Sequence, residues 1–178
     1  MFVCENMRSM QRRSWLKLSV GAAAVLAVAG GAIALVEPGL TKDGALGSAA
    51  QRVFSAVSRA VLEGSLPQEA TAQDKAITGL LSRVSDLTAM LPPHAQDELS
   101  QLLALLAISA GRWGLAGLSS DWSAASAAEV QAALQGMRTS SLALKRQAYA
   151  ALHDITGAAY FSDPSTWVQL GYPGPSKI

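Results

Sequence analysis

The chain has 178 residues, 50% of them apolar and only 15% charged, with 14 basic and 13 acidic side chains. Average proteins carry about 25% charge; this near-neutral balance argues against a nucleic-acid binder, which needs a basic stripe, and the apolar fraction argues against intrinsic disorder. The one cysteine, Cys4, can form neither an internal disulfide nor a zinc site, and without C-x-x-C-H there is no covalent attachment point for a c-type haem.

Residues 1–35 differ from everything after them. Arg8, Arg12, Arg13 and Lys17 make a basic head opposed only by Glu5, and residues 18–35 carry no charge. That run is marginally long enough to cross a bilayer, but it is diluted by Ser19, Gly21, Gly30, Gly31 and many alanines. Ala32 and Ala34 bracket a small-x-small triplet of the kind signal peptidase accepts, and Pro38 with Gly39 then breaks any helix. The stretch from Gln11 to Lys17 resembles the twin-arginine export motif R-R-x-F-L-K. Arg12 and Arg13 form the pair, Trp15 stands where Phe is usual, and Leu16 and Lys17 follow. Two guanidinium groups can be gripped bidentately by receptor carboxylates in a way lysines cannot match. The segment is therefore expected to be an address read by the twin-arginine translocase, with a retained membrane anchor as the alternative. That route carries folded cargo, commonly an enzyme loaded with its cofactor. No G-x-G-x-x-G, metal cluster or haem motif occurs in the sequence, and the two facts agree if the chain travels with a partner that holds the cofactor.

Without residues 1–34 the chain keeps ten basic and twelve acidic residues, a net charge of −2. Helical periodicity dominates this part. Val53, Phe54, Val57, Ala60 and Val61 share one face of a first helix over about 46–63, stopped by Gly64 and Pro67. A second, about 69–91, carries Ile77, Leu80, Leu81, Val84, Leu87 and Leu91 in a stripe and ends at Pro92. A third, about 94–110, follows Pro93 as N1 and is nearly apolar all round from Leu99 to Ile108, which places it at the centre of the bundle or under a partner. The stretch 111–117 is a glycine-punctuated break. Ser126 with Glu129 fits a capping box that opens a fourth helix, to about 136. A fifth, about 139–161, presents Leu142, Tyr149, Leu152, Ile155 and Tyr160. No window alternates as a strand, so the expected fold is an all-α bundle of about five helices, with segments 1–35, 36–161 and 162–178 as leader, bundle and tail. In the tail, Asp163 and Pro164 read as N-cap and N1 of one short turn through Trp167. Residues 171–175 read as extended or turned, stiffened by Pro173 and Pro175.

Catalytic candidates are sparse. His94 falls in an exposed first turn. His153 is followed by Asp154, but adjacent helical residues point about 100° apart, so the spacing does not make them a dyad. Two histidines far apart in sequence make a poor metal site, and no serine lies in G-x-S-x-G. Trp113, Trp122 and Trp167 all fall at helix ends, where they either plug the bundle or meet a partner, since Trp, Tyr and Arg dominate interface hot spots.

The leader, the five-helix pattern and the tail run Tyr160, Asp163, Pro164, Trp167, Leu170, Gly171, Tyr172, Pro173, Gly174 and Pro175 together resemble the small (gamma) subunits of bacterial flavin-dependent dehydrogenases. These are related to the gluconate 2-dehydrogenase subunit 3 group and accompany oxidoreductases of the glucose-methanol-choline type. Arg112-Trp113 and Asp121-Trp122 look similar to the family's middle. The likeness covers the leader and roughly residues 90–175, and the first two helices match only in pattern. The resemblance implies a non-catalytic accessory subunit with no cofactor of its own, which binds a large FAD-dependent subunit, helps it mature and takes the folded pair to the periplasm. Some family members also work with a multihaem cytochrome subunit. Partner contact is then expected at Arg112, Trp113, Trp122, Tyr160, Trp167, Gly171, Tyr172, Pro173, Gly174 and Pro175. A stand-alone periplasmic or membrane-tethered scaffold is the alternative.

Overall fold

The computed structural model describes residues 37–174. The export motif at Arg12, Arg13, Trp15, Leu16 and Lys17, the small residues Ala32 and Ala34, and Pro175 lie outside the described residues. Among the described residues the fold is all-α. Its main helices are α1 (Ser48–Val61), α2 (Ala70–Ala89), α3 (Pro93–Ala107), α4 (Ala127–Arg138) and α5 (Ala143–Phe161). A short turn, Ser109–Gly111, and a π-helical turn, Arg112–Ala116, follow α3, and a 3-10 helix, Pro164–Leu170, follows α5. No strand occurs among the described residues beyond one isolated bridge between Leu40 and Leu46.

The boundaries follow local chemistry. Glu69 caps α2 by accepting from the Thr71 and Ala72 amides, and those bonds hold its carboxyl below its usual range. Pro93 takes the first position of α3, where its missing N–H costs nothing. The Ser126–Glu129 capping box is formed in both directions. α5 begins at Ala143 rather than near 139, because the preceding hydroxyls bond locally. Thr139 donates to the Gln135 carbonyl at 2.9 Å, and the Ser140 hydroxyl accepts from the Leu142 amide at 3.1 Å. Leu142 therefore falls outside the helix and is 60% exposed, not part of the inner stripe expected for it.

The centre of the bundle is α1, which packs against α2, α3, α4 and α5. Val53, Phe54 and Val57 are fully buried, and each such side chain contributes about 1.5–3 kcal/mol by leaving water. The small residues Ala49, Ala50, Ala56, Ser58 and Ala60 keep the rest of α1 slim, so neighbouring axes can approach it. The all-round apolar α3 lies to one side instead. Leu99, Leu103 and Leu106 enter the core while Leu102 and Leu105 are half-buried.

Ahead of α1, residues 38–47 form a hook that the sequence reading treated only as a helix break. Its Leu40 amide donates to Ser100 Oγ at 3.0 Å and its Leu46 amide to Ser85 Oγ at 3.2 Å. Thr88 Oγ1 donates to the Gly44 carbonyl at 2.7 Å. A Cβ on Gly39 would lie 2.5 Å from both Leu103 Cβ and the Ser100 carbonyl, so the hook can rest on α3 only with glycine there.

Candidate functional site

The residues expected to meet a partner fall at two corners. The first lies after α3. Ile108 adopts an extended conformation (φ −83°, ψ 149°) that ends the helix and leaves the Leu106 carbonyl without a helical donor. Trp122 supplies one, since its Nε1 donates to Leu106 O at 2.7 Å. The indole is 3% exposed and belongs to the core. Arg112 is also buried, and its guanidinium meets Asp121 Oδ2 at 3.0 Å across the loop. Hydrogen bonds from Ser123 hold the Asp121 carboxyl below its usual range, and the Arg112 charge adds to that. The pair staples the two ends of the segment together. Trp113, next to Arg112 on the π-helical turn, points the other way and is 72% exposed.

The second corner is the end of α5 with the tail. Arg83, reaching from α2, donates through Nε to the Ala159 carbonyl at 2.7 Å and pairs with Asp163 Oδ2 at 3.2 Å. Asp163 in turn caps the 3-10 helix at the Ser165 amide. Its carboxyl lies below the usual range, first through hydrogen bonds from Ser165 and then through Arg83. Tyr160 is buried and its hydroxyl donates to the Ser65 carbonyl at 2.6 Å. Burial raises the pKa of that phenol, the Asp163 charge raises it further, and Arg83 opposes both. Trp167 Nε1 donates to the Phe161 carbonyl at 2.7 Å. The turn at Gly171 is left-handed (φ 67°), which favours glycine. It brings the Tyr172 amide to the Trp167 carbonyl at 3.1 Å and the Tyr172 ring edge-on to the indole, centroids 5.4 Å apart. Gly174 lies over the same indole, and Pro173 is exposed.

The tail thus wraps its own tryptophan rather than extending freely. What it leaves outward is Phe161, Tyr172 and Val168, the last 81% exposed. Phe161 and Val168 were not singled out from the sequence. Phe161 is the last residue of α5, and Val168 lies on the 3-10 path after Pro164, whose period differs from the helical stripe before it. The structure therefore brings Trp167, Gly171, Tyr172 and Gly174 together at one corner of the surface, while Tyr160, expected at a contact, belongs to the core beneath them, and Arg112 and Trp122 are buried in a separate corner. Of that corner's aromatic side chains, Trp122 is buried and Trp113 exposed.

Outside these corners, His153 Nδ1 lies 3.0 Å from Asp154 Oδ1 and its ring stacks on Tyr149 at 5.3 Å. The helical spacing alone did not make the two a dyad. Backbone directions differ by about 100° for neighbours, but rotation about the side-chain bonds closes the gap. Both side chains are substantially exposed, and neither lines two open clefts, of about 350 and 400 Å³, found among the described residues. Among the described residues no group of three His, Cys, Asp or Glu side chains is placed to hold a metal ion. Comparison of the chain with protein-family models, with curated proteins and with solved structures gives no match.

Proposed function

We propose that this chain is a non-catalytic accessory subunit and export escort of a periplasmic FAD-dependent dehydrogenase. The observation that carries the reading is the motif at Arg12, Arg13, Trp15, Leu16 and Lys17, a signature of folded export, on a sequence without a cofactor motif. The cofactor then belongs to the companion. The Phe161, Val168 and Tyr172 surface supports the reading, because a pre-folded aromatic and aliphatic knob loses little entropy when it docks. Trp113 offers a second contact of the hot-spot type. A multihaem cytochrome subunit would be a further member of the complex, as in some relatives of the family it resembles.

The reading is tested by changing Arg12 and Arg13 together to lysine. Both this chain and its flavoprotein should stay in the cytoplasm, and normal export of the flavoprotein would refute the escort role. Deleting residues 164–178 should weaken co-purification of the flavoprotein while helical content changes little. A second reading is favoured by the core that residues 37–174 complete among themselves, a stand-alone periplasmic or membrane-tethered scaffold. Purification as a stable monomer with no flavin absorbance would favour it.

A further inference from the structure

The turn between α4 and α5 concentrates positive charge in an otherwise acidic region. Residues 37–174 hold nine basic and twelve acidic side chains, yet no acid occurs between Glu129 and Asp154. Arg138, Lys145 and Arg146 all lie in that interval. Among the described residues none of the three is ion-paired. Neutral groups fix the two arginines in place. Arg138 Nε donates to Gln135 Oε1 at 3.0 Å, and Arg146 donates to the Ser140 carbonyl at 2.6 Å, which folds its guanidinium back over the turn. Leu142 stands out from the same turn.

We propose that this pole is a contact for an anionic phospholipid surface, with Arg138, Lys145 and Arg146 meeting headgroup phosphates and Leu142 entering the interface between headgroups and acyl chains. Basic side chains around an exposed apolar one suit a bilayer surface, which rewards both. The uncharged run 18–35 supplies proximity. Two residues, Val36 and Glu37, separate Leu35 from Pro38, a span of at most roughly 10 Å. Held in a membrane, that run would tether the chain there, and the field of an anionic leaflet acts over about one Debye length. Within that range the field favours a basic face over an acidic one. Three cations near such a surface strengthen attachment on the order of a hundredfold. The inference rests on the membrane-directed reading of the leader and is independent of the flavoprotein.

The test uses the full chain in a Cys4→Ser background, with Leu142→Cys carrying an environment-sensitive fluorophore and Ser82→Cys on α2 as a reference position. The labelled protein is held in nanodiscs of phosphatidylcholine, with or without phosphatidylglycerol, and quenched by spin-labelled lipid. Quenching at 142 should be several-fold stronger in anionic discs than in neutral ones and than at position 82. It should also be lost at high salt and in the triple variant R138Q/K145Q/R146Q, with circular dichroism showing that the variant keeps its fold. Equal quenching in both lipids, or none at 142 with the chain held in the disc, would overturn the proposal. So would a triple variant that still quenches but releases a co-purifying protein, since the pole would then be a protein contact. Failure of the chain to stay with either disc would remove the tether and the proposal together, while co-purification of a flavoprotein would still uphold the proposed function.

Discussion

Trp122 and Trp167 make the same hydrogen bond in opposite settings. Each donates its indole N–H, at 2.7 Å, to a carbonyl at the end of a long helix, Leu106 for α3 and Phe161 for α5. Trp122 does so inside the core, whereas Trp167 does so at the surface under Tyr172 and Gly174. An indole that closes a helix end is thus consistent with either a structural plug or a recognition surface. What separates them is the apolar area carried out of water, because the bond itself contributes only about 1 kcal/mol net.

Truncation should separate the two corners most sharply. Trp122→Ala leaves a large cavity and a buried carbonyl without a donor, and should cost about 3–5 kcal/mol in urea unfolding. A cost near 1 kcal/mol would break the comparison. Trp167→Ala loses one hydrogen bond and the edge-on contact with Tyr172, for about 1–2 kcal/mol, yet should weaken partner co-purification more than Trp122→Phe does. Equal effects on the partner would erase the distinction. Asp163 sharpens it through pH. Its folded-state pKa is lowered, so its stabilising contribution is present above the ordinary carboxylate value near 4 and is lost as the pH falls through the lower folded value. Asp163→Asn should flatten that acid limb in urea midpoints measured between neutral and acidic pH. Trp113→Ala should change stability by less than about 0.5 kcal/mol, since that side chain is mostly in water. Its effect should be visible in partner binding instead.

Helices were legible in the sequence wherever periodicity and punctuation agreed. The stripe from Ile77 to Leu91 and the Ser126–Glu129 box located α2 and the start of α4 closely. What escaped was contact made by elements without a period. The hook from 38 to 47 depends on Ser85, Thr88 and Ser100, hydroxyls with no local signature. Arg112 and Asp121 meet across a loop whose path the sequence does not specify. Apolar content put α3 at the centre or under a partner; within the bundle slimness decided the centre, and the alanine-rich α1 took that place. At the tail, the aromatic residues and prolines were plain in the sequence. Their folding onto one another needed the left-handed turn at Gly171, and the outward face came from Val168, which nothing in the periodicity marked.

The hook has a mechanical consequence. Its hydroxyl latches join the first described stretch of the backbone to helices 39 to 60 residues further along the chain. Traction applied just ahead of Pro38 would load those latches at once, in shear, before any helix could unravel turn by turn. Such a chain resists being drawn head-first through a narrow pore as a thread, and it gives whatever pulls on its front end a rigid handle on the whole bundle.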